Sequence, residues 1–205
     1  GDGNGSILGG ASSVTAVGTS GADNIDLTSN VAGSINYAIN MGSGADTVKG
    51  GAGNDTIDLG SGDGAQDTYV FASTDTANGQ DVITNFENSN DRIQITSINS
   101  NNSPSKQLVT GDITTTDGKV YYLTTTTGGA ADAGQSVGAA FVINNSANWT
   151  DADATAWIVI NDNDSAAVYE FNDTASSGNG LQSNELTLLA TFDGLIDLDN
   201  HILTS

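Results

Sequence analysis

The chain has 205 residues, and its 25 acidic residues against 4 lysines and arginines give it a formal net charge of −21 at pH 7. This charge argues against nucleic acid as a partner, and repulsion between the carboxylates opposes compaction until cations neutralise them. The absence of cysteine excludes disulfides, a thiol nucleophile and a thiolate metal site, and no apolar run is long enough to span a membrane.

The first 17 residues, GDGNGSILGGASSVTAV, are rich in glycine and leave two interpretations open. They form either a flexible linker or the first strands, at residues 6–8 and 13–17. Because the chain begins at Gly1 and its only methionine is Met41, we interpret it as the C-terminal piece of a longer protein.

A nine-residue pattern, G-G-x-G-x-D-x-U-x with U a large apolar residue, dominates the stretch that follows. Its best copy is GGAGNDTID at residues 50–58, with Asp55 as the acid. The copy before it, MGSGADTVK, keeps the glycines and Asp46. The copy after it carries an insertion at residues 63–66, which leaves Asp67 in the acidic place. This nonapeptide is the signature of calcium-binding β-helices.

Two imperfect copies precede these three. Residues 18–26, GTSGADNID, keep Asp23, whereas residues 32–40 have Tyr37 where the acid should be, so we expect that turn to bind a cation poorly or not at all. The apolar positions of the copies predict one ladder of core residues: Ile25, Ile39, Val48, Ile57 and Tyr69.

The chemistry of calcium explains the spacing. Glycines allow positive φ, so that a six-residue turn is tight and its carbonyl oxygens point inward, while the aspartate adds a hard anionic ligand. Calcium takes six to eight oxygens, which one turn cannot supply. Because each nonapeptide is half a coil, turns on the same edge lie two repeats apart and supply the ligands together. The sequence therefore predicts a short parallel β-roll (β-solenoid) of about two to three coils, with calcium in the turns and a core too small to fold alone.

The repeats and the residues after them resemble the repeats-in-toxin (RTX) family over about residues 18–95. The resemblance rests on the nonapeptides, then TYVF at residues 68–71, Asp75, GQDVITNF and DRIQI. This family lies near the C-termini of bacterial proteins exported by type I secretion systems. The resemblance implies a calcium-binding β-roll with its closing segment at residues 18–98. A solenoid of the same composition without metal, or a disordered tract, is the alternative.

The resemblance also implies the calcium ligands. On one edge they are the carbonyls of Gly42, Gly44, Leu59 and Ser61, and the carboxylates of Asp46 and of Asp67 or Asp63. On the other they are the carbonyls of Gly51 and Gly53 and the carboxylate of Asp55, with Asp75 and Asp81 as partner acids. In the first, imperfect turn they are Gly18 and Asp23.

After the roll, NSNNSPS at residues 99–105 indicates a boundary, and the rest is expected to form a β-rich α+β C-terminal region. Two hairpins are predicted, one of residues 107–113 and 119–126 around the turn 116–118, and one of residues 154–160 and 166–171. Residues 131–143 are predicted to form a short helix or a strand. A capped helix is predicted from residue 183 to about 191, ended by Gly194, and a last strand at residues 196–203. The acidic turn at residues 161–164 suits a solvated turn better than a calcium loop.

The sequence offers little for catalysis. The only histidine, His201, lies in an apolar tail, and without cysteine or a second histidine neither a zinc protease site nor a thiol site is expected. The spacing of the aromatic residues suits a strand core better than a sugar site; these residues are Tyr121, Tyr122, Trp149 and Trp157. We therefore expect no enzyme.

Two functions stay open. Residues 186–205, LTLLATFDGLIDLDNHILTS, are similar to the uncleaved C-terminal export signal of the RTX family, and they also suit a packed core. The first function is a calcium-dependent folding and type I secretion module of a bacterial S-layer protein or surface adhesin. Its partners would be the type I ABC transporter of a Gram-negative-type bacterium and other copies of itself in an extracellular array. The second is an RTX appendage that helps a secreted protease or polysaccharide-modifying enzyme to fold or bind substrate.

Overall fold

The computed structural model of the protein describes residues 6–10, 13–29, 35–72, 78–95, 106–108, 120–124, 155–161, 165–172, 186–194, 196 and 202–204. This part of the chain forms fifteen strands and contains no helix, so none of it could cross a membrane as a long apolar helix. The strands are β1 Ser6–Gly10, β2 Ser13–Thr19, β3 Asn24–Asp26, β4 Tyr37–Gly42, β5 Thr47–Lys49, β6 Thr56–Asp58, β7 Thr68–Phe71, β8 Asp81–Thr84, β9 Arg92–Ile95, β10 Lys106–Leu108, β11 Val120–Thr124, β12 Thr155–Asn161, β13 Ala166–Asn172, β14 Leu186–Phe192 and β15 Ile202–Thr204.

From β2 to β9 the chain winds as a β-solenoid of about three turns, in which successive strands alternate between two parallel sheets. One sheet stacks β2, β4, β6 and β8, and the other stacks β3, β5, β7 and β9. Ile39 lies opposite Ile57, two nonapeptides further along the chain, as a half-coil repeat requires. The mostly β fold and the solenoid predicted from the repeats are therefore confirmed.

The strands of the solenoid turn alternate side chains inward, because side chains alternate between the two faces of a strand, and one inward residue of each strand stacks on the corresponding residue of the next coil. The predicted ladder is in fact two ladders, one on each sheet. In the first sheet Ile39, Ile57 and Ile83 stack in register. In the second sheet the stacked residues are Ile25, Val48, Tyr69 and Ile93. All seven belong to or pack against one apolar core.

The C-terminal strands extend both sheets of the solenoid. β14 adds to β8 in parallel, and β15 adds to β9 in parallel, so the end of the chain contributes one further layer to each sheet. On its other side β14 pairs with β13, and the first sheet continues through β12 and β11 to β10, making ten strands. Trp157 of β12 packs edge-on against Phe71 of β7 with ring centroids 5.2 Å apart. The solenoid and the C-terminal strands thus share one core.

Three expectations for the C-terminal region need correction. The helix predicted to about residue 191 is wrong, since residues 186–192 form strand β14. Its segment LTLLATF is buried on both faces of the sheet and hydrogen-bonded along both edges, and this tertiary pairing overrides helix propensity. The first predicted hairpin is also wrong, because β10 and β11 pair in parallel. The last predicted strand does not begin at Ile196, which lies outside any strand; β15 covers Ile202–Thr204, and residues 197–201 lie outside the described residues.

Other expectations are confirmed. β12 and β13 form the second predicted hairpin, with Ile158 opposite Tyr169, and Trp157 is buried in the core. Between the two interpretations of the N-terminus, the structure has strands, since β1 and β2 pair antiparallel. The turn at 116–118, the segment at 131–143 and most of the acidic turn at 161–164 lie outside the described residues, and the boundaries at residues 17 and 98 stay predictions.

Candidate functional site

The turns of the solenoid lie along two edges. Edge A holds the turns that lead from the ten-stranded to the five-stranded sheet, and each ends on an aspartate: Asp23, Asp46, Asp67 and Asp91. Edge B holds the turns that lead back and contains Asp55 and Asp81, with Tyr37 in the corresponding place of the preceding coil. The winding therefore stacks acids that are 21 to 26 residues apart in sequence.

On edge A the side chains of Asp46, Asp67 and Asp91 each accept a hydrogen bond from the main chain of the preceding coil. The N–H of Asp23 donates to Oδ1 of Asp46 (2.7 Å), that of Asp46 to Oδ1 of Asp67 (2.8 Å), and that of Asp67 to Oδ1 of Asp91 (3.0 Å). The second oxygen of Asp91 accepts from the N–H of Glu87 (2.7 Å). These charge-assisted bonds join the coils and fix one oxygen of each carboxylate.

Edge B repeats the arrangement over fewer coils. The N–H of Tyr37 donates to Oδ1 of Asp55 (2.7 Å), and the N–H of Asp55 donates to Oδ1 of Asp81 (2.9 Å). In the opposite direction along the stack, the side-chain oxygen of Asn54 accepts from the N–H of Gln80 (3.1 Å). Neighbouring coils are thus joined from both sides of each turn.

Among the residues that the structure describes, three buried carboxylate oxygens have no hydrogen-bond partner: Oδ1 of Asp23, Oδ2 of Asp46 and Oδ2 of Asp55. These side chains are almost fully buried, with residue exposures of 4%, 1% and 1%. A buried charged oxygen without a partner costs several kilocalories per mole unless a counter-charge or a metal compensates it. The unpartnered oxygens therefore indicate where a cation would bind.

Burial raises the pKa of five aspartates at the edges. Desolvation is the largest cause in each case, and it raises the pKa of Asp55 to about 6, of Asp67 to about 7 and of Asp81 to about 8. The same cause raises the pKa values of Asp46 and Asp91 above their usual range. Neighbouring carboxylates add to the effect at several of these positions, whereas none of the causes is a basic side chain. The edges therefore hold negative charge that no basic side chain of the described residues compensates.

Glycines let the stacked turns approach at distances that a side chain would prevent. Gly42 has φ of +90°, and a Cβ there would lie 2.1 Å from the carbonyl oxygen of Thr19 in the preceding coil. On edge B, a Cβ at Gly50 would lie 2.5 Å from Oδ2 of Asp55 and 2.8 Å from Oδ2 of Asp81. The space above Gly50 is thus shared by two carboxylate oxygens from adjacent coils.

The residues present fit a hard divalent cation such as calcium. They offer carboxylate and carbonyl oxygens, which calcium prefers, and the unpartnered oxygens lie beside stacked turns that supply carbonyls. In the described part of the chain no group of three or more acidic, histidine or cysteine side chains converges in the manner of a metal centre. A cation on either edge would therefore take most of its ligands from the main chain, as the ligand set implied by the RTX resemblance does.

The structure places the expected ligands of edge A on adjacent turns. Gly42, Gly44 and Asp46 lie in one turn, and Leu59, Ser61 and Asp67 lie in the next. Asp63 is different, because it is exposed and accepts from the N–H groups of Ala65 (2.8 Å) and Gly44 (2.7 Å). These bonds lower the pKa of Asp63. Asp67, by contrast, is buried and accepts from the N–H of Asp46, so Asp67 and not Asp63 takes the position of the repeat aspartate. Gly18 and Asp23 lie together in the first turn of this edge, where the N–H of Thr19 donates to Oδ2 of Asp23 (2.5 Å).

On edge B the structure places Gly51, Gly53 and Asp55 in one turn, with Asp81 in the next. Asp75, the other expected partner acid, lies outside the described residues.

Sequence reasoning gave no role to several residues that the structure places at the edges. Asp91 completes the ladder of edge A, and its spacing of 24 residues from Asp67 could have indicated this. The hydroxyl of Tyr69 donates to Oδ2 of Asp81 from the core side. Asp193, directly after β14, accepts from the N–H groups of Asn85 and Phe86 at the last turn of edge A. No local pattern signals the contacts of Tyr69 and Asp193.

Comparison of the chain with protein-family models, with curated proteins and with solved structures found no match. The functional argument therefore rests on the residues of the edges themselves.

Proposed function

We propose that this chain is a calcium-dependent folding module of a secreted bacterial protein. The observation that carries the proposal is the set of three buried carboxylate oxygens without a hydrogen-bond partner, on Asp23, Asp46 and Asp55. They lie on Gly-rich turns whose sequence matches the calcium-binding nonapeptide, and their negative charge is not compensated by basic side chains. A divalent cation bound at the edges would remove the electrostatic cost of bringing these acids together.

The energetics make calcium a folding switch. The three-residue strands β5 and β6, and also β8, each contribute only one large apolar side chain to the core. In these coils the ordering entropy of the Gly-rich turns is therefore poorly offset by apolar burial. A ligand that binds only the folded state stabilises it by about 2.7 kcal/mol at 100 times its dissociation constant. Extracellular calcium modules typically have dissociation constants of roughly 10⁻⁴–10⁻³ M. The chain would therefore stay unfolded at cytosolic calcium and fold outside the cell.

A calcium titration against a chelator, followed by far-ultraviolet circular dichroism, tests this proposal. Asp55→Ala should raise the calcium midpoint, because it removes a buried edge carboxylate. The matched control is Asp26→Ala, which removes the same charge from an exposed position where Asp26 pairs with Lys49 at 3.1 Å. A β signal that is already complete in chelator, or equal midpoints for the two variants, contradicts the proposal.

The export part of the proposal is supported by sequence resemblance. Residues 186–205 are similar to the C-terminal signal of RTX proteins, so we assign the chain to the C-terminus of an S-layer protein or surface adhesin that uses a type I ABC transporter. Other copies of the chain are its proposed partners outside the cell, where calcium would bridge surfaces that repel each other at a net charge of −21. No catalytic step is assigned to it.

A further inference from the structure

Tyr69 differs from the other inward residues of its ladder in the five-stranded sheet. Its counterparts Ile25, Val48 and Ile93 are aliphatic, whereas Tyr69 carries a hydroxyl into the core while its residue exposure is only 1%. Its ring packs edge-on against Phe71, with centroids 4.7 Å apart. The hydroxyl group lies at edge B, where it donates a hydrogen bond to Oδ2 of Asp81 at 2.5 Å.

Asp81 is consequently held at both oxygens. Oδ1 accepts from the N–H of Asp55 (2.9 Å), and Oδ2 accepts from Tyr69. Asp55 is held only through Oδ1, by the N–H of Tyr37, and its Oδ2 has no partner. The Oδ2 atoms of Asp55 and Asp81 both border the space that a Cβ at Gly50 would fill, at 2.5 Å and 2.8 Å from its position. When both carboxyl groups are ionised, their like charges repel each other in this small space, so a hydrogen-bond donor that holds the second carboxylate favours the arrangement that a cation needs.

We propose that Tyr69 is a positioning residue of the cation site on edge B. Its hydroxyl fixes Oδ2 of Asp81 next to the unpartnered Oδ2 of Asp55, so that a hard divalent cation meets both acids already in place. This inference rests on the proposed calcium function and adds to it a group in the core that acts on the site through Asp81. Because the ring of Tyr69 also packs edge-on against Phe192 of β14 (5.9 Å between centroids), the site is joined to the docking of the C-terminal strands.

The first test compares Tyr69→Phe with Tyr169→Phe in calcium titrations of the full chain by circular dichroism and calorimetry. Both substitutions remove one hydroxyl from a fully buried tyrosine, but the hydroxyl of Tyr169 has no hydrogen-bond partner. Tyr69→Phe should raise the calcium midpoint about tenfold, which corresponds to the loss of one charge-assisted hydrogen bond. Tyr169→Phe should leave the midpoint within about twofold of the wild type. Equal midpoints for Tyr69→Phe and Tyr169→Phe overturn the inference.

A double-mutant cycle separates positioning from simple packing. If Tyr69 acts through Asp81, Tyr69→Phe has no further effect on the calcium midpoint in an Asp81→Asn background, but keeps its full effect in an Asp46→Asn background, where the altered acid is on edge A. The same effect in both backgrounds identifies a packing role and overturns the inference. If Asp81→Asn does not fold at any calcium concentration, the comparison with Tyr169→Phe decides.

The wild-type titration distinguishes this inference from the function on which it rests. A wild-type chain that does not respond to calcium contradicts both. A wild-type chain that folds with calcium, together with an unchanged midpoint in Tyr69→Phe, contradicts only the positioning role.

Discussion

Replacing Gly42 by alanine tests whether the coils stack at the main-chain distances described. Gly42 has φ of +90°, and an added Cβ would lie 2.1 Å from the carbonyl oxygen of Thr19, far below the 3.0 Å that Cβ atoms essentially always keep. The same carbonyl accepts from the N–H of Ser43 (3.0 Å), so moving it away would also weaken a bond between coils. Gly62 is a matched control, because it has φ of +71° but nothing within 4 Å of its Cβ position.

The expected magnitudes follow from these geometries. Positive φ costs an alanine about 1 to 2 kcal/mol, which the lower entropy of its unfolded state offsets by about 0.4 to 1 kcal/mol. Gly62→Ala should therefore destabilise the chain by about 1 kcal/mol. Gly42→Ala adds a steric cost of about 1 to 3 kcal/mol and the loss of about 1 kcal/mol from the bond of Ser43. Its total should be about 3 to 5 kcal/mol, a large part of the 5 to 15 kcal/mol that typically stabilises a domain.

Urea unfolding at saturating calcium measures both free energies of unfolding, provided that the denaturant slopes of the variants agree. Calcium is kept at one fixed concentration, and the calcium dissociation constant of each variant is measured as well, because a change in cation affinity contributes to the free energy of unfolding even at saturation. If Gly42→Ala is destabilised no more than Gly62→Ala, the carbonyl of Thr19 is not in contact with the next coil and the stacking argument is refuted.

Three further predictions concern pH, the last turn and export. The folded state without calcium binds protons more tightly than the unfolded state, because burial raises the pKa values of Asp55, Asp67 and Asp81 from 3.8 to about 6, about 7 and about 8. In chelator the folded state should therefore become more favourable as pH falls from about 8 to about 4, so that the β signal in circular dichroism increases, and a signal that stays the same or decreases contradicts this. Asp193→Ala should cost about 2 kcal/mol in urea unfolding with calcium present, since it removes carboxylate bonds to the N–H groups of Asn85 (2.8 Å) and Phe86 (3.0 Å), and Asp193→Asn should cost less. Deleting residues 186–205 should abolish export. Fusing residues 99–205 to an unrelated passenger protein should direct that protein through a type I transporter. Undiminished secretion of the truncated chain would contradict the export proposal.

The nonapeptides determined the solenoid and the position of most edge residues by themselves. A glycine-rich turn, an aspartate and one apolar residue per half-coil are local requirements, and they recur at a spacing that allows only stacked turns and two alternating sheets. The edge on which Asp46 or Asp55 lies could therefore be predicted from its place in the repeat, whereas Asp81, which follows the nonapeptides, was expected together with Asp75 only from the resemblance to the RTX family. The insertion at residues 63–66 left two acids open for one place, and only the hydrogen bond from the N–H of Asp46 to Asp67 decided between them.

Tertiary structure decided what the repeats do not encode. Segment LTLLATF suits a capped helix by local signals, yet it forms β14 because β8 and β13 offer hydrogen-bonding partners on both of its edges. The contact of Tyr69 with Asp81 spans 12 residues outside any repeat spacing, and the contact of Asp193 with Asn85 spans 108. Contacts of this kind depend on which surfaces meet after the solenoid has wound, and no short-range pattern of residue types specifies them.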